Sequence, residues 1–110
     1  MEISVNEPFY NEKLKALSAL YGVMDPELMV NIVDLGLVYG LRFEEEGALL
    51  VTMTLSTPHC PLGEAITTGV KNALSQVFPE RTVGMEIVWE PAWDLEMLTA
   101  EGRWQLGREL

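Results

Sequence analysis

The chain has 110 residues and a formal net charge of −10, and its seven basic residues form no cluster. Because nucleic acids and anionic membranes attract basic patches, neither is expected as a partner. The single cysteine excludes an intramolecular disulfide, and no apolar run is long enough to span a bilayer. We therefore expect one cytoplasmic domain over residues 1–110, whose partners are other proteins.

The first predicted element is an amphipathic helix near the N-terminus. Its apolar stripe consists of Tyr10, Leu14, Leu17 and Tyr21, widened by Ala16, Ala19 and Leu20. We expect Asn6 to cap this helix and Gly22 to end it. Alternating apolar residues then predict two strands, over 37–43 and 49–55, that are joined by a hairpin loop.

A second helix is predicted from about Pro61 to Phe78, with its apolar face formed by Leu62, Ile66, Val70, Ala73, Leu74 and Val77. The strand that follows alternates up to Trp89, which this pattern places on the buried face. Asp94 or Thr99 is expected to cap a short last helix, which Gly107 ends.

These elements predict an α+β fold, a two-layer sandwich in the order α-β-β-α-β plus a short C-terminal helix. The hairpin makes the first two strands antiparallel. The third strand is reached through a helical crossover, so we expect it to run parallel to one of them.

Cys60 lies in the segment Thr57-Pro58-His59-Cys60-Pro61, between the second strand and the second helix. Because Pro61 suits the first helical position, Cys60 is expected to be the exposed N-cap, beside the positive end of the helix dipole. That position favours the thiolate, the form that attacks electrophiles and binds metals. A free cysteine is also often a small buried hydrophobe, so both interpretations stay open.

His59 is the only histidine, and it suggests a base for a thiol nucleophile or a second metal ligand. Neighbouring side chains in an extended turn usually point apart, so an exposed loop residue is the alternative. No other Cys or His exists to complete a site within one chain, and a metal or cluster would therefore need a second chain.

Two further groups of residues allow a functional and a plain interpretation. The carboxylates of Asp25, Glu27, Asp34 and Glu90 suggest a metal site or an acid/base pair, but their separation along loops favours solvated turn residues. Trp93, beyond the strand that ends at Pro91, is either a lid on the core or an exposed anchor for a partner.

Four motifs in order complete the pattern: Asp25-Pro26-Glu27, the run from Asn31 to Tyr39, Thr57-Pro58-His59-Cys60-Pro61, and Trp89-Glu90-Pro91-Ala92-Trp93. This series resembles the MIP-eighteen-like family, also called domain of unknown function fifty-nine, over about residues 9 to 107. The resemblance implies an iron–sulfur assembly fold and a role in maturing or delivering Fe–S clusters.

The same resemblance implies that Cys60 is the cluster or metal contact, with His59 as a weaker candidate. It implies motif or partner-binding roles for Asp25, Pro26, Glu27, Thr57, Pro61, Trp89, Pro91 and Trp93. Members of the family often carry glycine directly before this cysteine, whereas this chain has His59.

The sequence thus predicts a non-enzymatic Fe–S cluster assembly or delivery factor, with no catalytic residue. Its partner would be an Fe–S carrier or an apo Fe–S protein, and a transient cluster, the only cofactor expected, would be shared between the chains of a homodimer. The alternative is a cluster-free adaptor for the subunits of a multicomponent oxygenase of the phenylacetate-degradation type, docking through Trp93. A thiol enzyme is less favoured because no positioned base or oxyanion hole is evident.

Overall fold

The computed structural model describes residues 3–56 and 63–109. Its elements are α1 (Tyr10–Leu20), β1 (Val38–Phe43), β2 (Ala48–Met53), α2 (Gly63–Val77), β3 (Thr82–Ile87), a 3₁₀ helix (Leu95–Met97) and α3 (Ala100–Glu109). The α+β class and the order of elements are confirmed, with the 3₁₀ helix as an addition. Within the described ranges, no helix is both long enough and apolar enough to cross a membrane.

The three strands form one sheet in the order β1-β2-β3. β1 and β2 pair antiparallel around a loop in which Gly47 has φ of 104°, and β2 and β3 pair parallel across the α2 crossover. The antiparallel pair was predicted, and so was a third strand parallel to one of the first two, although the sequence did not say which one. A register shift between Val38 and Gly40 interrupts the alternation of β1, so Val38 and Leu41, three residues apart, are both buried.

The core contains the predicted faces of β2 and α2. Leu49, Val51 and Met53 of β2 are fully buried, as are Val70 and Leu74 of α2. The pattern predicts these elements well because each has a single apolar face, which packs on the core.

The predicted phase and cap of α1 are wrong. Ala16 and Leu20 are its buried residues, whereas Leu14 and Tyr21 are exposed. The residue before the helix is Phe9 at φ 62°, not Asn6, and no side chain caps the first turn. The Phe9 ring stacks on Phe43, so aromatic packing fixes this end of the helix.

Both residues that were candidates for the cap of the last helix, Asp94 and Thr99, cap a helix in the C-terminal segment. Asp94 accepts a hydrogen bond from the backbone N–H of Glu96 (2.8 Å) at the 3₁₀ helix, and the Thr99 hydroxyl accepts one from Gly102 N–H (3.0 Å) at α3. α3 continues to Glu109, so the prediction that Gly107 ends it is wrong. Glycine lowers helix propensity by about 1 kcal/mol but does not forbid the helix.

Candidate functional site

Thr57, His59, Cys60 and Pro61 lie outside the described residues, so the roles assigned to them remain predictions. The structure describes the chain on both sides of this segment. Thr54, Leu55 and Ser56 lead into it from β2, and α2 begins at Gly63 beyond it.

A groove of about 390 Å³ lies at the end of β2, beside the chain that follows β3. We call it the tryptophan groove; it is lined by Thr54, Leu55, Ser56, Trp89, Ala92 and Trp93. Most of its described lining is apolar, and none of these six side chains carries a charge. The groove therefore offers packing contact directly before the Cys60 motif in sequence.

Trp89 is not on the buried face of β3, which corrects the prediction from the alternating pattern. β3 ends at Ile87, and the N–H of Val88 makes the last bond to the sheet, to the carbonyl of Met53 at 2.9 Å. The chain then leaves the sheet toward the cis Glu90–Pro91 peptide, and Trp89 is 45% exposed. An alternating apolar pattern does not reveal the residue at which a strand stops pairing with the sheet.

Trp93 packs partly against the core, and its indole N–H donates to the carbonyl oxygen of Leu35 at 2.7 Å. It therefore covers the core, as one of the two interpretations held, and it also lines the groove. Beside it, the hydroxyl of Tyr39 donates to the carbonyl of exposed Pro91 at 2.7 Å. Burial raises the pKa of Tyr39 above its usual value, and the negative charge of Asp94 raises it further.

Asp25 is 1% exposed, so the expectation of a solvated carboxylate is wrong for this residue. Its Oδ1 accepts hydrogen bonds from the backbone N–H groups of Glu27 (2.8 Å) and Leu28 (3.0 Å). Its Oδ2 is buried without a hydrogen-bond partner in the part of the chain that the structure describes. The turn itself was expected, and Pro26 and Glu27 are exposed on it.

Asp34 is also buried, at 6% exposure, which again corrects the expected solvated carboxylate. Its Oδ2 accepts from the side-chain amide of Asn31 (2.7 Å), and its Oδ1 accepts from the hydroxyl of Thr99 (2.8 Å). The Asn31 side chain in turn accepts from the N–H of Asp34 at 2.8 Å. Sequence reasoning missed Asn31 and this role of Thr99, although an Asn three residues before an Asp is a signal of such a turn.

The described carboxylates are not grouped as a metal site would require. Asp25 and Asp34 each have separate backbone or hydroxyl partners, while Glu27 and Glu90 are exposed. Within residues 3–56 and 63–109, no group of three His, Cys, Asp or Glu side chains is arranged to hold a metal ion. Glu27 and Glu90 are thus solvated turn residues, as one interpretation of the sequence held. Asp25 and Asp34 are buried parts of the fold.

Comparison with known proteins identifies relatives of this chain. The family model for iron–sulfur cluster assembly proteins matches residues 13–85. The chain is 39% identical over 95 residues to the Fe–S protein maturation auxiliary factor YitW of Bacillus subtilis, covering 86% of this chain and 93% of YitW. It is also 39% identical over 85 residues to the Fe–S protein maturation auxiliary factor SufT of Staphylococcus aureus, covering 77% and 97% of the two chains.

A solved structure shows the same architecture. The domain of unknown function DUF59 from Bacillus anthracis superposes with a TM-score of 0.81 at 37% identity, over 86% of this chain and 90% of that one. The family model covers more than half of the chain, and the resemblance drawn from the four motifs is confirmed. This chain belongs to the iron–sulfur cluster assembly protein family.

Proposed function

We propose that this protein is an auxiliary factor in the maturation of Fe–S proteins, which assists cluster assembly or delivery through protein contacts. The observation that carries the proposal is the near full-length similarity to YitW, a protein named as a maturation auxiliary factor. The oxygenase adaptor is not favoured, because the curated relatives that match are named for Fe–S maturation. The partner of this protein is accordingly an Fe–S carrier or an apo Fe–S protein.

Contact rather than catalysis is supported by the chemistry of the tryptophan groove. The described lining consists of two indoles, small apolar groups and two hydroxyls, and it includes no side chain that serves as a general acid or base near neutral pH. Cys60 is the chemically active group of the proposal, and its thiolate contacts the cluster during transfer.

A cluster is cargo in this proposal. An Fe–S cluster usually has four protein ligands, and this chain supplies one cysteine. Further ligands must therefore come from outside this chain: a second copy in a homodimer adds one thiolate, and the carrier supplies the rest. His59, next to Cys60 in sequence, is a second donor of lower rank.

The test is Cys60→Ser in cells that lack the wild-type protein. Serine is nearly isosteric with cysteine and suits the N-cap position that the sequence predicts for Cys60, so the variant should reach normal abundance with stability changed by less than about 0.5 kcal/mol. We expect it to fail to restore the activity of a client Fe–S enzyme. After anaerobic incubation with iron and sulfide, it should also retain less iron per chain than wild type.

His59→Ala keeps the thiol and tests the weaker donor separately. We expect it to restore most of the client activity. Full restoration by Cys60→Ser at normal abundance would exclude the thiol from the function. Loss of folding in Cys60→Ser would show that the N-cap assignment was wrong.

A further inference from the structure

The tryptophan groove indicates what kind of segment a partner presents to this protein. This inference rests on the proposed function and extends it. Trp89 leaves 45% of its surface exposed, and the ring of Trp93 is held by the hydrogen bond from its indole N–H to Leu35. A fixed aromatic ring loses little conformational entropy on binding, and tryptophan is enriched among residues that dominate binding energy. The groove is thus a preorganised apolar site for a side chain of a partner.

The stretch of chain that carries Trp89 and Trp93 has acidic side chains and no basic ones. Between Thr82 and Gly102 the chain has no Lys or Arg and five acidic residues, Glu86, Glu90, Asp94, Glu96 and Glu101. All five are exposed, and the salt bridges recorded among the described residues, Lys13–Glu7 and Arg42–Glu44, involve none of them. Their negative potential is therefore available to a partner, and it repels acidic segments.

We propose that the tryptophan groove binds a segment of the client or carrier protein in which an apolar side chain is flanked by Lys or Arg. The apolar side chain packs between Trp89 and Trp93, and the flanking cations lie beside carboxylates such as Glu90. Ser56 lines the groove four residues before Cys60, and a chain of that length spans at most about 14 Å. A bound segment therefore brings its protein close to the thiol that the proposed function uses.

The probe for the test is a fluorescein-labelled, lysine-rich peptide with one central phenylalanine. Binding is measured by fluorescence anisotropy against the full-length protein. We expect Trp89→Ala to weaken binding about tenfold or more, because it removes one wall of the groove. Glu90→Lys should weaken it several-fold and reduce its dependence on salt.

Two controls make the result specific. A peptide with glutamate in place of every lysine should bind much more weakly than the basic peptide. Trp104→Ala removes another indole, 58% exposed, that does not line the groove, and it should leave peptide affinity unchanged. In cells, Trp89→Ala should lower client-enzyme activity at normal abundance.

Several outcomes would overturn the inference. One is equal binding of the acidic and basic peptides, and another is an equal loss of affinity in Trp104→Ala and Trp89→Ala. A third is self-association of the protein that Trp89→Ala abolishes, since the occupant would then be a second copy. These failures differ from failure of the proposed function, which appears as full client activity in the Cys60→Ser variant whether or not the peptide binds.

Discussion

The turn over residues 31–36 and the segment over residues 89–93 meet at one hydrogen bond, yet they are built in opposite ways. In the turn, Asp34 is buried and both of its carboxylate oxygens accept hydrogen bonds. In the segment, Trp89 and Pro91 are exposed, and Trp93 is joined to the turn through the carbonyl of Leu35. The turn provides stability, and the segment keeps apolar surface available for a partner.

The largest expected effect tests whether the turn is rigid. Gly36 has φ of 80°, and a Cβ there would overlap the backbone carbonyl of Met97. We expect Gly36→Ala to lower the free energy of unfolding by about 3 kcal/mol or more, measured by urea denaturation, because strain and a backbone clash add.

Gly47→Ala is the matched control for that substitution. Gly47 has φ of 104°, but a Cβ there would meet nothing within 4 Å. Strain alone should cost about 1 kcal/mol. Equal losses in the two variants would show that the C-terminal segment shifts away from the turn at little cost, and that the turn is not the rigid region.

The next effect concerns the buried carboxylate. Asp34→Ala leaves the buried Asn31 amide without its acceptor and removes the part-buried hydrogen bond of the Thr99 hydroxyl. We expect a loss of about 2–3 kcal/mol in the free energy of unfolding, from the same urea measurement. Glu90→Ala, an exposed carboxylate in the other region, should stay within about 0.5 kcal/mol. A similar cost for both would remove the distinction between the two regions.

Substitutions of the two tryptophans test the same comparison between the turn and the segment, with smaller expected effects. Trp93→Phe removes the donor to the Leu35 carbonyl and should cost about 1 kcal/mol of unfolding free energy. The Trp89 ring is exposed and makes no side-chain hydrogen bond to the described part of the chain, so Trp89→Phe should cost less than about 0.5 kcal/mol. Thermal unfolding followed by circular dichroism measures both. A larger loss for Trp89→Phe would place that ring in the core after all.

The smallest effect is a pH dependence at the contact with Pro91. Because the pKa of Tyr39 is raised above its ordinary value of 10.0 in the folded state, the folded protein holds this proton more tightly than the unfolded chain. That contribution is complete below about pH 10 and is lost as the pH rises from 10 toward the raised value. The stability advantage of wild type over Tyr39→Phe should therefore shrink in urea titrations above about pH 10, and an unchanged difference would contradict the burial of the phenol.

Much of the fold follows from local patterns, because β2 and α2 each have one apolar face that decides their burial. The same argument places α1 correctly but overestimates its buried face: more apolar residues occur there than the core accommodates, and Leu14 remains exposed. It misplaces Trp89, since an alternating pattern does not reveal where sheet pairing ends. These errors arise where the apolar pattern extends beyond the available contact surface.

The buried carboxylates were unpredictable for a different reason. Asp34 is stabilised by Thr99, which is 65 residues away in sequence, so no local pattern reveals that the charge is satisfied. The Cys60 motif, by contrast, is recognisable from residue order alone, and its residues lie outside the described ranges. Sequence thus identified the motif and the family, whereas the groove beside the motif needed coordinates.

The parallel pairing of β2 with β3 has a consequence for when the groove exists during folding. The hairpin joins strands that are neighbours in sequence, whereas β3 must close a loop that contains all of α2 before it can pair. Thr54 and Trp89 come together only after that late step, because each follows directly from one of the paired strands. A partner that binds this groove therefore distinguishes a completely folded molecule from a nascent or partly unfolded chain in which β3 is not yet paired.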